Sequence, residues 1–137
     1  IKPHLERGGL VLSDRYFDSS LAYQGYGHGL DLDLLRSIQA FATGGLKPDL
    51  TLFFDIEAEA GLGRRKEGAA EWNRLDAYQL AFHQRVCEGY RALAAQQPER
   101  WVVIDAAQTP AAIQNDLRER IVSRLVSRQV LPPEGRP

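Results

Sequence analysis

Apolar residues fall along this chain in two patterns. Three short unbroken runs stand out: Leu10-Val11-Leu12, Leu50 through Phe54 around Thr51, and Trp101-Val102-Val103-Ile104. Each ends in a polar residue: Ser13, Asp55 and Asp105. A run that is apolar on both faces suits a parallel strand covered by helices on each side. Between and after the runs, apolar residues recur every three or four positions, the period of a helix packed along one face. Leu32, Leu35, Ile38 and Ala42 form one such series, which Gly44-Gly45 stops. Glu57 to about Arg65 forms a second, anchored by Leu62. From about Ala77 to Ala95, Leu80, His83, Val86, Cys87, Tyr90, Leu93 and Ala94 share one side. Ile113, Leu117, Ile121, Leu125 and Val126 mark a last helix to about Arg128, opened by Thr109 as cap and Pro110 at the first position. Strands alternating with helices predict an α/β class with a parallel sheet.

The connecting stretches sharpen this outline. Ile1 to Gly9 reads as the last turn or two of a helix closed by glycine, so the chain is expected to begin inside an element. Asp18-Ser19-Ser20 offers an N-cap for a short helix through Ala22 and Tyr23, which Gly25, Gly27 and Gly29 are expected to end. Residues 64–76 are polar and charged, with Gly68, and are expected to form a loop or lid. Residues 129–137, with three prolines from Leu131 to Pro137, are expected to be a disordered tail. No internal repeat and no second domain are visible, so residues 1–128 are read as one α/β domain.

Composition narrows the function classes. The 137 residues are 44% hydrophobic and 26% charged, with a formal net charge of −1. That is an ordinary globular balance, without the basic field that draws nucleic acid or an anionic membrane. No apolar run approaches the roughly 20 residues of a membrane span. Cys87 is the single cysteine, so neither an internal disulfide nor a cysteine-based zinc site can form, and a reducing cytosol fits. His4, His28 and His83 lack the spacing of metal ligands. Trp72 and Trp101 read as packing anchors.

The chemistry concentrates at the end of the first run. Ser13 is followed by Asp14-Arg15, then by Tyr16 through Tyr23-Gln24-Gly25. An acid and an arginine at the carboxyl end of a strand lie where open α/β sheets place their sites. A carboxylate there can hold Mg²⁺, directly or through water. A guanidinium beside it can grip a phosphate with two parallel hydrogen bonds. The residues themselves point to a phosphate-handling site beside a pocket for something flat and polar. The bland alternative is an ion pair at a strand end.

The stretch Leu12-Ser13-Asp14-Arg15-Tyr16-Phe17-Asp18-Ser19-Ser20-Leu21-Ala22-Tyr23-Gln24 resembles the signature of the thymidylate kinase family without a departure. The resemblance runs from about Lys2 to about Leu125. It implies a P-loop nucleoside monophosphate kinase fold and transfer of the γ-phosphoryl of ATP to thymidine monophosphate (dTMP), with Mg²⁺. It also implies a cytoplasmic homodimer, with no nucleic acid polymer and no membrane as partner. Asp14 resembles the family's metal-holding acid, and Arg15 its arginine on the acceptor phosphate. Ser20, Tyr23 and Gln24 match positions that contact the acceptor nucleoside. Arg64, Arg65, Lys66 and Arg74 flank the lid, where mobile cations offset repulsion between two nucleotides. Arg74, in Asn73-Arg74-Leu75-Asp76, resembles the family's Asp-Arg-Leu-Glu with two changes. Asp105-Ala106-Ala107 sits where relatives seat the adenine.

One family feature is missing from these residues: no G-x-x-x-x-G-K-[ST] phosphate loop occurs. The expectation is a carboxyl-terminal part of a longer kinase, short of about two strand–helix units, on the order of 60 residues at about 30 each. The strand carrying that loop would lie between this chain's first and second strands. Its absence would deprive both of a partner and leave this chain without turnover. Two other readings stay open: a non-catalytic remnant or nucleotide-binding module, and another nucleoside monophosphate kinase.

Overall fold

The computed structural model describes residues 1–65 and 74–127, with side chains for 1–64 and 78–125. In order the elements are α1 (Lys2–Leu5), α2 (Phe17–Ser20), a π-helical segment (Leu21–Gly27), α3 (Leu32–Thr43), β1 (Thr51–Asp55), α4 (Ala58–Arg65), α5 (Arg74–Gln96), β2 (Trp101–Asp105) and α6 (Pro110–Ser127). Their ends follow local chemistry. Asp31 caps α3 by accepting from the Leu34 N–H at 2.7 Å, and Gly44 closes it in the left-handed conformation at φ 58°. Thr109 Oγ1 accepts from the Ala112 N–H at 3.3 Å at the start of α6.

β1 and β2 pair in parallel, Thr51 opposite Trp101 through Asp55 opposite Asp105. One face of this sheet meets α5: Phe53 stacks on Tyr90 at 5.1 Å between ring centroids and meets Trp101 edge-on at 6.3 Å. Leu21, Ala22, Val86, Leu93 and Ala94 complete that core. On the other face the fully buried Ile104 lies where α6 packs on β2. The parallel, helix-flanked sheet and the elements from α3 onward follow the hydrophobic pattern.

Two expectations fail. Leu10–Ser13 is not a strand but an irregular segment, with Leu12 88% and Leu10 68% exposed. An apolar run becomes a strand only by bonding to a neighbour, and among the described residues β1 and β2 pair only with each other. The glycines after Tyr23 do not all end a helix. Gly25 and Gly27 lie buried inside the π-helical segment, where a Cβ would come within 2.3 Å of Leu32 Cδ2 and 2.6 Å of Phe82 Cε2. They permit close packing, and only Gly29, at φ 75°, serves the turn.

In α3, Leu32 and Leu35 pack on the core as the period predicts. Ile38 does not: it joins Leu34 and Phe41 in an outward stripe, 54%, 60% and 90% exposed. α4 and α5 take in residues 64–65 and 74–76 of the expected lid, while residues 66–73, with Lys66 and Trp72, lie outside the described residues, as does the expected tail.

Candidate active site

Asp14 and Arg15 sit at a bend between the irregular Leu10–Ser13 segment and α2, and both are exposed. Ser13 Oγ donates to the Arg15 carbonyl at 2.8 Å and steadies the bend. Arg15 holds φ at 68°, the one non-glycine residue with positive φ among those described. Its guanidinium lies over the Tyr23 ring at 4.9 Å and donates to the Tyr23 hydroxyl at 3.2 Å. A cation on an aromatic face keeps its remaining donors for an anion. Asp14 has no ion-pair or hydrogen-bond partner among the described residues, and no group of three or more potential metal ligands occurs there. One open carboxylate fits a divalent cation that takes most of its ligands from outside the protein.

Tyr23 is fixed by aromatic neighbours. Its ring meets Phe82, His83 and Tyr90 edge-on, at 6.0, 6.5 and 6.4 Å. Tyr90 donates its hydroxyl to Ser19 Oγ at 2.8 Å, and burial pushes the Tyr90 phenol above its ordinary value, partly opposed by that hydrogen bond. α5 thus forms the floor of the wall that carries Arg15 and Tyr23. Ser20 is half-buried at the end of α2 and Gln24 is exposed in the π-helical segment.

Asp18 departs from its expected part. α2 starts after Tyr16, with no side-chain cap. Asp18 instead lies buried and takes two hydrogen bonds from Arg100, at 2.7 and 2.8 Å. The backbone already turns at Tyr16, so the carboxylate is free to face the sheet. Breaking one side of such a pair costs about 3–5 kcal/mol, since it strands the other charge.

A second cluster forms at the carboxyl ends of the strands. Arg64, at the end of α4, donates to the carbonyls of Ala106 at 2.8 Å and Ala107 at 3.1 Å. Asp105 Oδ1 accepts from the Ala107 N–H at 2.8 Å, closing the turn after β2. Arg64 and the segment Asp105-Ala106-Ala107, expected as separate site parts, are therefore one unit. Arg65 ends α4 and Arg74 begins α5, and their side chains lie outside the description. Asp55 is engaged by Arg91 Nε at 2.9 Å, and Arg91 also reaches Glu57 at 2.6 Å. These bonds, to Asp55 first and Glu57 next, raise the Arg91 pKa further above its already high value. Among the described residues no direct hydrogen bond or ring contact links the Arg15–Tyr23 cluster to the Arg64 cluster.

Sequence reasoning missed Arg91 and Arg100. Neither sits in a motif, and their partners lie 36 and 82 residues away.

Comparison with known proteins adds a broad similarity. The family model for thymidylate kinase matches residues 1–117. A thymidylate kinase of Roseiflexus castenholzii is 52% identical over 139 residues, covering 93% of this chain and 61% of the relative. One from another Roseiflexus is 56% identical over 124 residues, covering 82% of this chain and 55% of the relative. One from Desulfovibrio desulfuricans is 50% identical over 132 residues, covering 91% and 60%. The chain thus spans somewhat more than half the length of the curated relatives it matches.

Proposed function

We propose that this chain, which belongs to the thymidylate kinase family and carries part of the P-loop nucleoside monophosphate kinase fold, serves transfer of the γ-phosphoryl of ATP to dTMP, giving the diphosphate and ADP. The observation that carries the reading is the Arg15 guanidinium held on the Tyr23 ring immediately after Asp14. In this reading Arg15 grips the acceptor phosphate with the donors Tyr23 leaves unused. Tyr23 and Ser20 line the nucleoside pocket, and Gln24 lies beside the base. Asp14 holds Mg²⁺, which when bound neutralises phosphate charge. Phosphoryl transfer needs such positioning and charge compensation more than a covalent group.

Arg64 orders the turn Asp105–Ala107 as a seat for the adenine of ATP. Arg65 and Arg74, which end α4 and begin α5, bring positive charge to the transferred group. The elements from α1 to α6 belong to one catalytic unit. The outward stripe Leu34, Ile38 and Phe41 on α3 supports a homodimer, since a contiguous apolar stripe on a polar helix face marks an interface. The setting is cytoplasmic, with neither nucleic acid polymer nor membrane as partner.

A second reading, acceptor binding without turnover, rests on the same Arg15–Tyr23 pair, which can hold a phosphate without a donor nucleotide. Calorimetric titration of the chain tests both. Binding of dTMP that disappears in Arg15→Ala supports the acceptor site, and no binding of dTMP overturns it. Turnover on adding ATP would reject the second reading. A preference for uridine or cytidine monophosphate over dTMP would move the assignment to another nucleoside monophosphate kinase.

A further inference from the structure

We propose that the buried Asp18–Arg100 ion pair is a positioning device that sets where Arg15 stands on the Tyr23 ring. This rests on the reading of those two residues as the acceptor-phosphate grip. Asp18 is 4% and Arg100 7% exposed. The guanidinium meets the carboxylate as a two-pronged fork, Nη1 to Oδ2 at 2.7 Å and Nη2 to Oδ1 at 2.8 Å. Nη1 also donates to Thr51 Oγ1 at 2.7 Å, and Nε to Gln97 Oε1 at 2.9 Å. Four of the five N–H donors of Arg100 are thereby spent on protein partners. The Phe17 and Trp101 rings lie against it at 5.6 and 5.1 Å. Arg100 is bound on every side and has one place to be.

A buried ion pair is a poor route to stability, because apolar side chains of similar volume do as well or better. What the fork supplies is a unique geometry. α2 needs that. It is four residues long, and a single turn of helix does not hold its own shape. It begins two residues after Arg15, and the π-helical segment that bears Tyr23 follows without a break.

Among the described residues, side-chain hydrogen bonds tie this stretch to the rest of the protein at three points: Asp18 to Arg100, Ser19 to Tyr90 at 2.8 Å, and the Gly27 carbonyl to Arg85 Nε at 3.0 Å. The Asp18 tie stands nearest to Arg15 in the chain and is the only one of the three with charge on both sides. Arg100 opens directly into β2, and its carbonyl accepts from the Thr51 N–H at 2.9 Å at the start of β1. The fork thus refers the Arg15 bend to both strands of the sheet. Asp18 and Arg100 touch no substrate in this arrangement and act through Arg15.

The deciding variant replaces the whole pair, Asp18→Leu with Arg100→Met, which avoids stranding a buried charge. The thermal midpoint is expected to stay within a few degrees of the parent. Affinity for dTMP, read by calorimetry well below that midpoint, is expected to fall about tenfold or more, as sub-ångström misplacement of a binding group does. Affinity for thymidine, which lacks the phosphate, is expected to change far less. In an Arg15→Ala background the same double replacement should leave thymidine affinity almost unchanged. Parent-like dTMP affinity in the double variant overturns the proposal, as does a loss equal for thymidine and dTMP.

If the parent chain binds no dTMP, the acceptor reading falls, and positioning is then judged on the chain alone. The Arg15 Cζ and Tyr23 ring resonances are expected to shift in the double variant. Unmoved resonances overturn the proposal.

Discussion

Gly89→Ala isolates the packing that supports the candidate site. Gly89 is buried in α5 where the π-helical segment crosses it. A Cβ there would stand 2.6 Å from both Cβ and Cγ of Tyr26 and 2.7 Å from its Cδ2, against ordinary contact from 3.4 Å. The clash includes the Tyr26 Cβ, which no side-chain rotation can move, so backbone must separate from backbone by most of an ångström. In a helix interior, alanine gains about 1 kcal/mol over glycine. Overpacking a closed contact costs about 1–3 kcal/mol. The balance is a net loss of up to about 2 kcal/mol once the propensity gain is offset.

Gly63→Ala in α4 is the internal control. Its added methyl meets nothing within 4 Å, so it keeps the helix gain of about 0.5–1 kcal/mol. Urea unfolding followed by circular dichroism reads both. Gly63→Ala should lie above the parent and Gly89→Ala below it, with a separation of up to about 3 kcal/mol. Gly89→Ala as stable as Gly63→Ala would refute the claim that bare backbone at Gly89 is required. The same displacement moves the segment that carries Tyr23, so Gly89→Ala should also weaken dTMP binding, whereas Gly63→Ala should not.

Arg64→Ala removes both bonds to the carbonyls of Ala106 and Ala107. Faster amide exchange at 105–108 is the expected result, with the Arg15–Tyr23 region unaffected; uniform exchange rates would reject the clamp. Burial raises the Cys87 thiol above its ordinary 9.0, the strongest of several influences, with Arg91 opposing. Keeping the thiol neutral therefore stabilises the fold fully below about pH 9, and that contribution is lost as pH climbs through the raised value. Cys87→Ala should flatten this alkaline part of the stability curve, measured by denaturant midpoints from pH 8 to 11. Ile38→Asp with Phe41→Asp should shift sedimentation from dimer to monomer and leave the thermal midpoint of the monomer nearly unchanged, because both side chains are exposed. A dimer that survives would remove α3 from the interface.

The sequence pattern located most elements because their signals are local. β1 and β2 are dense apolar runs, α3 has an aspartate cap and glycine stop, and α6 opens on Thr109-Pro110. The Leu10–Ser13 strand was misjudged because strand formation depends on a partner, which a run of apolar residues cannot report. The π-helical turn escaped notice since its glycines look like terminators, and only the bulk of Leu32 and Phe82 shows that they are spacers. On α3, apolar residues occupy two sides, and the period alone assigned Ile38 to the wrong one. Of the candidate site residues, Asp14, Arg15 and Tyr23 lie in one contiguous motif, and the structure brings Arg15 and Tyr23 into contact. The Asp18–Arg100 and Asp55–Arg91 pairs were not, because no spacing rule joins residues so far apart.

Arg15 adopts a backbone shape that suits glycine, with φ at 68°. For a side chain with a Cβ that shape costs about 1 kcal/mol or more. A guanidinium stands there against its own conformational preference, so Arg15→Gly would relieve the backbone while giving up the grip on Tyr23.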